Sequence, residues 1–122
     1  MANVHMLVGT LVIVAFLASA ILNIMTFVTG RSFSWQKMVS FAAATLLLLQ
    51  YLLGFSLLGE GQSVPGSHFL IALLAIIPVG FEHMYAGTRE DTKQRGLFAA
   101  SANIATLVLV LVAYMIGQNN GS

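Results

Sequence analysis

Two histidines, His5 and His68, each lie within the first turn of a long apolar segment of the chain. Imidazole is a common ligand of haem iron and of other metals. If the two segments run in the same direction through a membrane, the two imidazoles lie at the same depth and can face each other across a helical bundle. This arrangement predicts a site for one haem held by a pair of histidines.

The segments that carry the histidines are long enough to cross a bilayer. Hydrophobic residues make up 58% of the 122-residue chain and charged residues 7%, which is more apolar side chain than a soluble core of this size can bury. A bilayer core of about 30 Å needs roughly 20 helical residues, and residues 4–28, 33–58, 68–86 and 97–117 have about this length or more. The sequence therefore predicts a single domain, residues 1–122, that folds as an all-α, up-down bundle of four transmembrane helices.

The distribution of positive charge predicts how the bundle lies in the membrane. All five cationic residues fall in or beside the first and third connections, and no Lys or Arg occurs at either terminus or in the second connection. Because positively charged loops stay on the cytoplasmic side, we expect a multi-pass protein of a prokaryotic cytoplasmic membrane, with both termini on the outer, periplasmic side. The five residues are Arg31, Lys37, Arg89, Lys93 and Arg95.

Residues near the two histidines fit the needs of a porphyrin, which are an apolar slot, axial ligands and small residues where the ring approaches a backbone. Gly9 and Ala72 each follow a histidine by four residues, on the same helix face. Gln50 and Gly54 lie late in the second helix, at about the same outer depth, where Gln50 can donate a hydrogen bond to a propionate or a ligand. The predicted haem-binding residues are His5, Gly9, Gln50, Gly54, His68 and Ala72, with His5 and His68 as the iron ligands.

A simpler interpretation of the same residues stays open. A histidine near the start of a transmembrane helix is often an interfacial polar residue, and glycine or alanine is common where such helices pack. The chain contains no cysteine, so disulfides, iron–sulfur clusters and thiolate ligation of haem are excluded.

Short stretches at matching depths in the first three predicted helices form a recognisable pattern. They are His5 followed by Gly9, the run Leu-Gln-Tyr-Leu-Leu-Gly at 49–54, and Ser67 followed by His68. Together they resemble one four-helix half of the haem A synthase family. The resemblance implies that His5 and His68 are axial haem ligands at the outer ends of alternate helices, with Gln50 beside the haem.

The chain departs from that family at two positions. The family has a glutamate three residues before its first histidine and an arginine directly after it, where this chain has Ala2 and Met6. A single bundle also provides one haem site, whereas the family carries two bundles. The resemblance therefore implies an electron-transfer cytochrome or a haem-bearing accessory subunit rather than a synthase.

A second polar group, Glu82, His83 and Tyr85, lies at the opposite end of the third predicted helix. His83 follows His68 by 15 residues, which corresponds to about 22 Å of helix. This group is therefore expected near the cytoplasmic interface.

Two interpretations of Glu82 remain open, because an ionisable side chain inside a transmembrane helix costs roughly 2.5 kcal/mol or more at the bilayer centre. One is an ion pair with a cation of the cytoplasmic loops, for which the candidates are Arg31, Lys37 and Arg89. The other is a quinone or proton site made by Glu82, His83 and Tyr85. In that interpretation, Pro78 and Gly80 kink the third helix and open space beside the group.

Three functions from different classes are consistent with these features. The first, which the histidine pair favours, is a b-type haem protein that transfers electrons near the outer face, as or within a subunit of a respiratory or photosynthetic membrane complex. Its cofactor is haem b, a quinone is a second ligand if the Glu82 group binds one, and its partners are the lipid bilayer and other membrane subunits. The second is a cofactor-free accessory subunit, and the third is a small proton-coupled transporter that uses Glu82.

No catalytic motif accompanies these features. The sequence has no nucleophile motif, metal cluster or phosphate-binding loop of the kind that indicates a hydrolase or kinase, so no enzymatic activity of the chain by itself is predicted. The net charge of +1 does not predict a nucleic-acid partner.

Overall fold

The computed structural model describes residues 2–61 and 65–119 of the chain. These residues form four helical spans that are long and apolar enough to cross a membrane. The elements are α1 (Ala2–Thr29), α2 (Gln36–Gly59), α3 (Gly66–Leu74), α4 (Ile76–Met84), a short 3₁₀ helix (Ala86–Thr88) and α5 (Thr92–Asn119). The third span consists of α3 and α4. The prediction of an all-α bundle of four helices that are long and apolar enough to span a membrane is confirmed.

Local sequence signals set the helix ends. The residue after α1 is Gly30, whose φ of +74° lies in the left-handed region that favours glycine. α5 begins at Thr92, earlier than the predicted start at 97. The reason is Asp91, whose carboxylate accepts hydrogen bonds from the backbone N–H groups of Lys93 and Gln94 at 2.9 and 3.1 Å. This cap satisfies amides that a helix start leaves unpaired, so the charged segment joins the helix.

The third span is not one continuous helix. It is interrupted at Ala75, whose N–H donates to the carbonyl of Ala72 at 3.3 Å in a turn tighter than an α-helical one. Pro78 explains the interruption, because it has no N–H to donate to the carbonyl of Leu74. The predicted irregularity therefore lies before Pro78, and Gly80 lies inside α4.

α1 and α5 form the packing centre of the bundle. α1 packs on both α2 and α5, and α5 packs on the third span. The two central helices approach closely at Gly96, where an added Cβ would lie 2.7 Å from the backbone nitrogen of Phe27 and 2.8 Å from the carbonyl oxygen of Asn23. α2 is joined to the third span mainly by side chains, such as the hydroxyl of Tyr51, which donates to the carbonyl of Ala72.

The middle of the bundle is apolar, and so is its outside. Phe16 and Leu47 are at most 2% exposed and belong to the central cluster of apolar side chains. The outward faces of all four spans carry large exposed apolar side chains, among them Val14, Leu52, Ile77 and Val108. An apolar surface of this extent contacts lipid.

The two ends of the bundle differ in chemistry. At one end, here called the His5 end, the starts of α1 and α3 meet the last turns of α2 and α5 around a cavity. At the other, the Glu82 end, the last turns of α1 and α4 meet the starts of α2 and α5 around a second cavity.

Candidate functional site

A cavity at the His5 end brings the predicted haem-binding residues together. All six of them line it, and they come from α1, α2 and α3. α5 completes the lining with Val110, Ala113 and Tyr114. The structure thus places the two predicted iron ligands around a common space.

The ring of His68 is held by a backbone carbonyl of α5. Its Nδ1 lies 2.7 Å from the carbonyl oxygen of Ala113. Because a carbonyl oxygen can only accept a hydrogen bond, Nδ1 carries the proton and donates, so the neutral ring has its lone pair on Nε2. Metal-ligating histidines commonly have this arrangement, in which one ring nitrogen donates to a carbonyl and the other binds the metal.

Gly9 and Gly54 make room for polar side chains from the neighbouring helix. A Cβ at Gly54 in α2 would lie 3.4 Å from Cε1 of His5, and a Cβ at Gly9 in α1 would lie 3.0 Å from Nε2 of Gln50. The sequence predicts that these small residues let a macrocycle approach the backbone. In the structure, the His5 ring and the Gln50 amide lie against these glycines, between α1 and α2.

Two buried polar atoms at this cavity have no hydrogen-bond partner among the described residues: Nδ1 of His5 and Oε1 of Gln50. An unpaired buried polar atom costs about 1–3 kcal/mol and is uncommon in folded proteins. The two atoms are complementary, since an imidazole N–H donates and an amide oxygen accepts, and both side chains line the same cavity. If Nδ1 of His5 donates to Oε1, the lone pair of its ring lies on Nε2, as in His68.

Sequence reasoning missed Tyr51, which lines the same cavity. Its hydroxyl donates to the carbonyl of Ala72 and so ties α2 to α3 one turn after His68. Tyr51 lies within the 49–54 run, but its role depends on a carbonyl of another helix, which no local pattern identifies.

At the Glu82 end, a buried carboxylate is hydrogen-bonded by uncharged groups. Glu82 is 5% exposed. Its Oε1 accepts a hydrogen bond from Nδ2 of Asn103 in α5 at 2.8 Å, and its Oε2 accepts one from the hydroxyl of Ser40 in α2. Nε2 of His83 lies 3.5 Å from Oγ of Ser40 and 3.8 Å from Oε1 of Glu82.

No Lys or Arg lies within ion-pair distance of Glu82 in the part of the chain that the structure describes. The predicted alternative, an ion pair with a loop cation, is therefore not found. Arg89 donates instead to Tyr85 and Gln94, and Lys37 lines the second cavity without reaching the carboxylate. Proximity along the sequence does not determine where such long side chains point.

The hydrogen-bond network continues across the bundle through amide side chains. Nε2 of Gln36 donates to Oδ1 of Asn23 at 2.8 Å, and Nδ2 of Asn23 donates to Oδ1 of Asn103 at 2.6 Å. Ser19 also donates to Oδ1 of Asn103, at 3.0 Å. With Glu82, these residues link all four spans. Sequence reasoning missed this network, because single Asn or Ser residues are common in transmembrane packing. The sequence signal that could have indicated it is the similar depth of these polar residues on neighbouring helices.

Only two of the three residues of the predicted quinone or proton site line the second cavity, and Tyr85 is not among its lining residues. Glu82 and His83 line the second cavity. Tyr85 follows the end of α4 and is exposed; its ring stacks on Phe81 at 5.1 Å between centroids, and its hydroxyl accepts a hydrogen bond from Arg89 at 3.3 Å. Glu82 and His83 are therefore the residues that this end brings together.

Two sites remain on which to base a function: the imidazole pair at the His5 end and the carboxylate network at the Glu82 end. Within residues 2–61 and 65–119, no group of three or more His, Asp or Glu side chains is placed to hold a metal ion. No protein-family model, curated protein or solved structure matches the chain.

Proposed function

We propose that this protein is a small b-type haem protein of the membrane, in which His5 and His68 are the axial ligands of one haem. The observation that supports the proposal is the single cavity that both imidazoles line. The hydrogen bond from Nδ1 of His68 to the carbonyl of Ala113 leaves Nε2 as the metal-binding nitrogen. A bound haem supplies reversible one-electron exchange at its iron.

The residues around the two imidazoles position the rings and exclude water. The carbonyl of Ala113 orients His68. In this proposal Oε1 of Gln50, which has no partner among the described residues, accepts a hydrogen bond from Nδ1 of His5 and orients that ring. Apolar side chains such as Val12 and Leu47 line the deeper part of the cavity and keep water from the ligands. Two neutral imidazoles also suit an iron that changes oxidation state without a protein proton.

In this proposal the protein crosses a prokaryotic cytoplasmic membrane four times in an up-down arrangement, with both termini and the His5 end on the outer, periplasmic side. Each cavity is lined by the start of one span and the end of the next, as expected when successive spans run in opposite directions. The chain's Lys and Arg residues all lie in or beside the connections at the Glu82 end, which favours that end as the cytoplasmic one.

Electron transfer as, or within, a subunit of a respiratory or photosynthetic membrane complex is the role that fits this architecture. At the His5 end, where the proposal places the haem, α2 ends at Gly59 and α3 begins at Gly66, so the connection is short and offers little surface to a soluble redox protein. Apolar side chains cover the outside of the spans. We therefore expect the redox partners to be embedded in the membrane.

The test is a reduced-minus-oxidised absorption spectrum of the protein purified from its native membrane, compared with spectra of His5→Ala and His68→Ala. We expect a b-type difference spectrum in the unmodified protein and its loss in both variants. His83→Ala is the matched control, because His83 is the third histidine of the chain and lies at the other end; this variant should keep the spectrum.

Far-ultraviolet circular dichroism checks that the variants remain helical. Absence of haem from freshly isolated native protein would refute the proposal and favour a cofactor-free accessory subunit. A spectrum retained in both His5→Ala and His68→Ala would refute the ligand assignment.

A further inference from the structure

The carboxyl group of Glu82 is buried and has no Lys or Arg within ion-pair distance among the described residues. Its side chain is 6% exposed, whereas that of the adjacent His83 is 23% exposed. Both carboxylate oxygens accept hydrogen bonds from neutral donors, Asn103 and Ser40. Such a group loses its charge only by binding a proton, and a charge inside a bilayer is costly.

A cavity at the Glu82 end provides access for the proton. Glu82, His83 and Ser40 line it, and its volume is about 450 Å³, far more than the roughly 10–15 Å³ that one water requires. The charged groups on this cavity from the other helices are Lys37 of α2 and Arg95 of α5, while α1 contributes the uncharged Asn23 and Thr26.

We infer that Glu82 is a proton-binding site that exchanges with this cavity through His83 and Ser40. The inference does not depend on haem binding. His83 is the entry point, because its side chain is more exposed than that of Glu82. Phe41 stacks on its ring at 5.1 Å between centroids and holds the ring beside Ser40.

The transfer through Ser40 balances in atoms and charge. Nε2–H of a protonated His83 gives its proton to Oγ of Ser40 as the hydroxyl proton of Ser40 passes to Oε2 of Glu82. One N–H and one O–H bond break and two O–H bonds form. The products are a neutral imidazole, an unchanged serine and a carboxylic acid, so one proton has moved from His83 to Glu82.

The surroundings pair the carboxyl group in both protonation states. When Glu82 is ionised, Ser40 donates to it, and the amide chain from Gln36 through Asn23 to Asn103 ends in a donor to its Oε1. When it is protonated, its own O–H donates to Oγ of Ser40, whose hydroxyl then donates to Nε2 of His83. Neither state leaves a buried polar atom of this carboxyl group without a partner, as a reversible site requires.

The experiment is infrared spectroscopy of the full protein in lipid nanodiscs, with the C=O stretch of a protonated carboxyl group followed during a pH titration and after a rapid pH jump. Exposed carboxyl groups absorb at a different frequency, so we follow the band of a buried carboxyl group. We expect that band to titrate in the unmodified protein, to be lost in Glu82→Gln and to remain in Glu60→Gln. Glu60 is a matched control because it is an exposed glutamate outside the spans.

The route is tested by the rate at which that band forms. We expect Ser40→Ala and His83→Gln to lose the fast phase after the pH jump, and Ser40→Thr, which restores a hydroxyl, to regain it. These variants keep the carboxyl group, so they remain informative if Glu82→Gln folds poorly. A buried-carboxyl band that still titrates in Glu82→Gln would overturn the site, and a fast phase retained in both Ser40→Ala and His83→Gln would overturn the route.

Discussion

Substitution of Gly96 by alanine tests the contact that brings α1 and α5 together. The added Cβ would lie 2.7 Å from the backbone nitrogen of Phe27. To reach an ordinary contact the helices must separate by roughly 0.7 Å. Overpacking of this kind costs about 1–3 kcal/mol, from which the higher helix propensity of alanine recovers about 1 kcal/mol. We therefore expect Gly96→Ala to lower the free energy of unfolding by up to about 2 kcal/mol.

The matched control is Gly80→Ala in α4. A Cβ at Gly80 meets no atom within 4 Å, so this substitution adds helix propensity without a clash and should stabilise the protein by about 0.5–1 kcal/mol. Both variants can be measured by equilibrium unfolding in mixed micelles of increasing sodium dodecyl sulfate content, followed by fluorescence of Trp35, the single tryptophan, and by circular dichroism.

The quantity to compare is the detergent fraction at which Gly96→Ala and Gly80→Ala unfold. If Gly96→Ala unfolds at the same detergent fraction as Gly80→Ala, or at a higher one, the added Cβ does not force α1 and α5 apart, and the predicted loss of stability is wrong. If the reasoning holds, Gly96→Ala also weakens the hydrogen bond between Asn23 and Asn103, which joins the same two helices at 2.6 Å.

Two further predictions concern single side chains. Asp91→Ala removes the cap of α5 and should destabilise the protein by about 0.5–2 kcal/mol in the same unfolding assay; Asp91→Asn retains an acceptor oxygen, so an equal loss in both variants would contradict a capping role. In the proposed haem site, Oε1 of Gln50 accepts a hydrogen bond from Nδ1 of His5. Gln50→Leu removes this acceptor and should weaken the proposed haem retention by about 10–100-fold in a haem-transfer assay to apomyoglobin, whereas Gln118→Leu at the rim of the same cavity should not; equal retention in the two variants would contradict the positioning role.

The four spans were predictable because span length and apolar composition are local properties of the chain. The first span, expected at 4–28, is Ala2–Thr29 in the structure, and the second, expected at 33–58, is Gln36–Gly59. The start of α5 was less predictable, since its charged first turn resembles a loop until the hydrogen bonds of Asp91 are known. Helix ends depend on such specific contacts more than on composition.

The partners of Glu82 were not predictable from sequence. The candidates near it were loop cations, whereas the structure supplies Ser40 and Asn103 from two other spans. A helix that is apolar around its whole circumference carries little information about which side faces inward. The rotation of each helix about its axis, and hence its contacts, is then decided by packing.

By itself the sequence determined that this is a four-span helical membrane protein with imidazoles at the start of two spans and a carboxyl group near the end of one. These properties follow from residue type and position along single helices. Only the tertiary structure decided that His5 and His68 line one cavity, that Glu82 and His83 line a second cavity without Tyr85, and that Glu82 ends a network through all four spans. The physical reason is that each of these relations depends on the rotation and spacing of helices far apart in sequence, which close contacts such as those at Gly96 determine.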